Sequence, residues 1–151
     1  MKRINYLLII LLFFLALAGC TVEERQKPPE TLVKINGKKV EVVMGTYEWE
    51  QQSLFTNKRI VADSGPPSQM VKDLKVIKVT PGSVANIKFS DGSHPNINAY
   101  LWEGDKQGEQ LQVKEDRIHI PDEPRKYVVE ILATWPKGKG SASYAFVIDV
   151  Q

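Results

Sequence analysis

Two histidines, scattered carboxylates and three tryptophans are the side chains through which this chain could do chemistry. His94 lies in Gly92-Ser93-His94-Pro95, a loop pattern, and His119 alternates with Ile118 and Ile120, which puts it on the outer face of a strand. A metal centre or a Ser-His pair needs convergence, and the spacing brings these two together with nothing. Neither Gly-x-Ser-x-Gly nor His-Glu-x-x-His occurs. Lys137-Gly138-Lys139-Gly140-Ser141 lacks the first glycine and the spacing of a phosphate loop, and reads as a solvated hairpin turn. Glu103, Asp105 and Glu109 gather around one turn, and Asp122 and Glu123 follow Pro121. Calcium takes about six to eight oxygens from such turns, but no Asp-x-Asp-x-Asp-Gly pattern is present, so solvated loop charge is the better reading. We expect no catalytic residue, no metal and no cofactor.

The aromatic residues are more informative. Trp49, Trp102 and Trp135 each fall near the end of an expected strand beside a polar loop, with Tyr47 and Tyr100 two residues before the first two on the same strand faces. Two such ends on one rim would form a stacking platform for a sugar or a peptide. The competing reading, favoured by sandwich architecture, is that the tryptophans plug the core between sheets.

The elements that must position these residues have a β texture. Runs at 32–35 and 38–43 flank Asn36-Gly37, a type I′ hairpin signal because both residues tolerate positive φ. Further strands are expected at 46–49, 58–62, 75–79, 84–89, 96–102, 110–113, 117–120, 126–135 and 143–150, with turns at Pro81-Gly82, Asp91-Gly92 and Gly104-Asp105. Residues 67–74 are the one helix candidate, with Ser68 as its cap. Tyr127, Val129, Ile131, Ala133 and Trp135 share one strand face, and Tyr144, Phe146, Ile148 and Val150 another. Short strands at this spacing predict an all-β fold: a single immunoglobulin-like antiparallel β-sandwich with one short helix.

Ahead of that domain the texture changes. Lys2 and Arg3 precede an unbroken apolar run of twelve residues, 7–18. That is short for a transmembrane helix, which needs about 20, and suits a signal-peptide core. The run ends in Leu17-Ala18-Gly19-Cys20, which resembles the lipobox of bacterial lipoproteins, where small residues admit a protease just before an acylated cysteine. Cys20 is the only cysteine, so the domain has no intramolecular disulfide and no cysteine zinc site. The expected organisation is a signal peptide at 1–19, a lipidated tether at 20–30 carrying diacylglyceryl on Cys20, and a sandwich at 31–151. Two acyl chains give stable anchoring where one is marginal. Removing Lys2 and Arg3 from the 20 basic residues leaves 18, against 18 acidic. A formally neutral domain has no net field with which to collect nucleic acid, so no nucleic-acid partner is expected.

Two stretches resemble a family of small Gram-positive bacterial lipoproteins of uncharacterised function. One is Gly45-Thr46-Tyr47-Glu48-Trp49 with Val61-Ala62-Asp63-Ser64-Gly65-Pro66-Pro67 and Met70-Val71; the other is the segment 126–135 with Gly140 and 144–148. The resemblance supplies no activity. It singles out Tyr47, Trp49, Asp63 and Pro67 as a shared surface or structural feature. Some relatives carry cysteines near the Tyr-x-Trp segment; this chain has none there, which excludes a redox role at that place.

Together these features predict a non-catalytic binding or adaptor module on the outer face of the bacterial cytoplasmic membrane, with an envelope protein, a wall glycan or a small ligand as partner. Candidate binding residues are Tyr47, Trp49, Asp63, Trp102 and Trp135. The alternative is an inhibitor or immunity-type protein that blocks an enzyme with one of two loops, 104–108 or 136–140.

Overall fold

The computed structural model describes residues 27–52 and 56–151. The expected signal peptide, Cys20 and most of the tether lie outside them. Two sheets pack face to face. The first is five-stranded, with order β2 (Lys38–Val40), β1 (Thr31–Ile35), β6 (Val84–Phe89), β10 (Arg117–His119), β9 (Val113–Lys114). The second is seven-stranded: β4 (Asn57–Ala62), β3 (Val43–Gln52), β12 (Gly140–Val150), β11 (Lys126–Trp135), β7 (Asn96–Glu103), β8 (Lys106–Leu111), with β5 (Ile77–Val79) on β12. One edge of β12 is shared: β3 runs antiparallel along its first half, and β5 runs parallel along Ile148–Val150.

The series β1–β6–β10–β9 opposite β8–β7–β11–β12 is the strand order of an immunoglobulin-like sandwich. Tyr127 confirms the likeness: near the start of β11, its hydroxyl donates to the Glu123 carbonyl at 2.9 Å, closing the corner before the strand. Val129, two residues on, occupies the position that carries a disulfide cysteine in antibody domains, and here it is fully buried among apolar neighbours. The β3–β4 hairpin and the short helix α1 (Pro67–Met70) form an insertion between β2 and β5.

Alternation builds the core. Tyr127, Val129, Ile131, Ala133 and Trp135 of β11 all face inward, as do Tyr144, Phe146, Ile148 and Val150 of β12. They meet Val33, Ile35, Ala85, Ile87 and Ile118 from the five-stranded sheet. Each such aliphatic side chain, fully buried, contributes about 1.5–3 kcal/mol. These sheets share one core within residues 27–151, which therefore carry what a domain needs to fold alone. Packing begins earlier than the expected boundary at 31. Pro28 and Pro29 are buried, and Tyr144 donates its hydroxyl to the Pro29 carbonyl at 2.6 Å.

One local expectation holds and the helix changes. The Asn36-Gly37 turn forms with positive φ at both residues, 50° and 77°. The helix, however, stops at Met70, and Ser68 is not its cap; Pro66 holds that position, and Ser68 Oγ donates to Asp105 Oδ1 at 2.7 Å. The competition is tertiary. The segment 63–74 crosses the outer face of the seven-stranded sheet, and its polar groups serve that crossing rather than a helix end.

Candidate functional site

The seven-stranded sheet has a second apolar area on its outer face. Ala145 and Val147 of β12 and Val128 of β11 are covered there by Val71, Met70 and Leu74 from the crossing segment. The segment is tied near its start and at its middle. Thr46 Oγ1 accepts from the Ser64 backbone N–H at 3.2 Å, and Asp105 in the β7–β8 turn accepts from Ser68 and Gln69. A β-bulge lets it lie so close: Gly45 and Thr46 together oppose Ser143 of β12. A Cβ at Gly45 would collide with Ser143 Oγ and sit 3.0 Å from Met70 Cε. After the bulge Tyr47 and Trp49 both turn toward the core. The Gly-x-Tyr-x-Trp stretch therefore has a structural reason: a glycine under the crossing segment, then two inward aromatics.

The crossing covers only part of the outer face. Beside it lies a groove of about 520 Å³, within the range of small-ligand clefts. The inserted hairpin and Ser64–Pro67 form one wall. The floor is Glu130, Leu132 and Thr134 of β11 with Ser141 and Ser143 of β12, and Trp102 of β7 closes one side. The lining holds two carboxylates and several hydroxyls but no lysine, arginine or histidine. Glu48 is paired from the rim by Arg59 at 2.6 Å.

Glu130 is the unusual member. It is only 7% exposed, one of the few buried charged side chains, and it projects from the outward row of β11. Its cross-strand partner is Tyr100, and the diagonal neighbour Trp102 donates its indole N–H to Oε2 at 2.8 Å, with the Gln107 amide at 3.4 Å. A hydrogen bond to a charged group recovers part of the cost of taking a carboxylate out of water. Both donors serve Oε2. Oε1 accepts from no described residue, and Glu130 is part of the groove lining.

The five sequence candidates separate. Trp102 and Tyr47 line the groove, though the Tyr47 ring also packs on the core. Trp49 and Trp135 do not form a rim: they are 1% and 3% exposed and meet edge to face with centroids 5.1 Å apart. Trp135 donates its indole N–H to Ser93 Oγ at 2.8 Å, which satisfies a buried donor and leaves nothing for a ligand. Asp63 is exposed just beyond β4, outside the groove lining. Glu130 was missed, because one glutamate in a long strand reads as a solvated charge. The available signal was its neighbours: Val128 and Leu132 on the same outward row are apolar, which marks a face that is not simply wet.

No protein-family model, no curated protein and no solved structure matches this chain. The groove's own chemistry carries the functional argument. Among the described residues no group of three or more His, Cys, Asp or Glu could hold a metal. His94 Nδ1 lies 2.7 Å from Asp116 Oδ2 on the surface, with the imidazole 81% exposed, and His119 is exposed on the outer face of β10. Both candidate inhibitor loops are tied down. Asp105 is held by the crossing segment, and the Lys139 carbonyl accepts from the Glu50 N–H at 2.9 Å.

Proposed function

We propose that this chain is an extracytoplasmic lipoprotein, anchored through diacylglyceryl on Cys20, whose sandwich is a non-catalytic binding module with its site in the outer groove of the seven-stranded sheet. The observation that carries the site is the buried Glu130 in the groove lining, fixed by Trp102 through one oxygen and without a described partner on the other. A carboxylate oxygen among serine and threonine hydroxyls, with no cation in the lining, selects a ligand that brings hydrogen-bond donors and no negative charge there. Sugar hydroxyls and the amine groups of a peptide fit that description. The half-buried Trp102 supplies an apolar wall beside the carboxylate, the combination of few polar groups and apolar surface common to ligand clefts.

A photo-crosslinking residue at Leu132, on the groove floor, tests this in intact cells against the same residue at the exposed Lys78 of β5. The expected result is a species captured from Leu132 and not from Lys78, and lost in Glu130→Gln. The reading fails if both positions capture the same set, or if Glu130→Gln leaves capture from Leu132 unchanged. Cys20→Ser addresses the anchor separately. It should release the protein from the membrane fraction, and retention through an alkaline wash would contradict the anchor.

A further inference from the structure

The outer face of the five-stranded sheet carries a row of cations that the formally neutral composition beyond Arg3 conceals. Cross-strand register sets Lys39, Lys34, Asn86, Arg117 and Lys114 side by side across β2, β1, β6, β10 and β9. All five are exposed. At about 4.8 Å per strand the row spans roughly 19 Å. Lys88 extends it along β6, opposite Leu32, and His119 shares the face. None of the five lysines and arginines is in an ion pair with a described residue. Of the nearby carboxylates, Asp116 and Glu41 are engaged elsewhere, and Glu115 lines the same hollow as Lys114, Arg117 and His119. Glu115 and Asp116 form the β9–β10 turn, where Asp116 pairs with His94, and Glu41, just past β2, accepts from the Lys75 N–H. Like charges held side by side across a sheet are unfavourable unless something neutralises them.

We infer that this face rests on a bilayer surface bearing anionic phosphate headgroups. The complement is an extended array of negative charge, because the cations run in a row across five strands, and the hollow of about 370 Å³ among Lys114, Arg117 and His119 is also lined by the Glu115 carboxylate, which opposes capture of a single anion there. Chain geometry favours the bilayer as its source. Pro28 and Pro29 are seated on the domain, and β1 of this same sheet starts at Thr31. The eight Cα-to-Cα steps from Cys20 to Pro28 reach at most about 29 Å, so a domain anchored at Cys20 stays within touching distance of the membrane. The two outer faces of a sandwich look in opposite directions. Contact through the five-stranded face therefore turns the groove with Glu130 away from the membrane, toward whatever lies outside. The biological setting rests on the anchoring proposed above; the surface chemistry does not.

The test uses residues 27–151 without any lipid, so it can fail independently of the anchor. Sedimentation with phosphatidylcholine vesicles is compared with vesicles containing about 30 mol % phosphatidylglycerol, at low salt and at about 0.5 M sodium chloride. We expect binding only to the anionic vesicles, lost at high salt. The double variant Lys34→Gln/Arg117→Gln should weaken it about thirtyfold, whereas Lys58→Gln/Lys126→Gln, which removes as much charge from elsewhere, should leave it nearly unchanged. Equal uptake on neutral vesicles, or an equal loss in both double variants, would overturn the proposal. So would tight binding of a soluble glycerol-phosphate polymer or of DNA with no uptake on anionic vesicles, since the anion would then lie outside the bilayer.

Discussion

The two faces of the seven-stranded sheet are built from the same strands and do different work. On the inner face β11 and β12 present aliphatic and aromatic side chains whose few polar tips are hydrogen-bonded, sealed against the five-stranded sheet and ending in the Trp49, Trp135, Phe89 and Tyr144 cluster. On the outer face the intervening residues of those strands pass from an apolar area under the crossing segment to a groove with a carboxylate on its floor. A strand's inward residues answer to one requirement, close packing with every polar atom satisfied. Its outward residues are free of it, and a buried charge among them needs a separate explanation. On the function proposed above, stability and binding are carried on alternate residues of single strands, one position apart.

Substitutions on either side of that alternation should separate accordingly. Trp135→Ala removes the largest side chain of β11 and the partner of both Trp49 and Phe89, and should cost about 4 kcal/mol in denaturant unfolding. Gly140→Ala should cost about 3 kcal/mol, because φ is +142° and a Cβ would collide with the Glu48 carbonyl and lie 2.8 Å from Trp49 Cε3. Neither should change crosslinking from Leu132 per folded molecule. On the outer face, Trp102→Phe withdraws the main donor from Glu130 and should cost about 2 kcal/mol while abolishing capture in the groove. If Trp102→Phe cost as much as Trp135→Ala and left capture intact, the two faces would not be distinct in role.

The smallest effect concerns the inner face again. Tyr144→Phe loses the bond to Pro29 and should cost about 1 kcal/mol at neutral pH. Burial, helped by the field of Asp91, pushes the Tyr144 phenol above its usual range. The fold therefore favours the protonated phenol. Its contribution is fully present below the ordinary tyrosine value of about 10 and is lost as pH rises past it. Melting across that interval should fall more steeply for the native chain than for Tyr144→Phe, and parallel curves would contradict the assignment.

Legibility in the sequence followed the same division. The inner face was readable, because period-two alternation from Tyr127 to Trp135 and the Asn36-Gly37 turn each report a local requirement. Trp49 and Trp135 in the core, rather than on a rim, are settled by the bulge at Gly45 and the Ser93 partner, neither of which is local. The groove needs Trp102 from β7, Glu130 from β11 and a wall from the inserted hairpin, which meet only through register. The cationic row is the extreme case: its cations lie at 34, 39, 114 and 117 around Asn86, and the equal numbers of basic and acidic residues beyond Arg3 hide them. The helix was overestimated because the apolar residues of 67–74 serve one crossing of a sheet and not the stripe of a longer helix.

The most direct measurement compares Glu130→Gln with Ile118→Ala in one experiment, reading melting temperature and Leu132 crosslinking per folded molecule together. Ile118 is fully buried in the five-stranded sheet, far in the fold from the groove. Glu130→Gln keeps the shape and an acceptor for Trp102, so it should melt close to the native chain and capture nothing. Ile118→Ala should melt well below it, by the equivalent of about 3 kcal/mol, and capture normally. Normal capture by Glu130→Gln, or loss of capture in folded Ile118→Ala, would contradict the outer groove as the working surface.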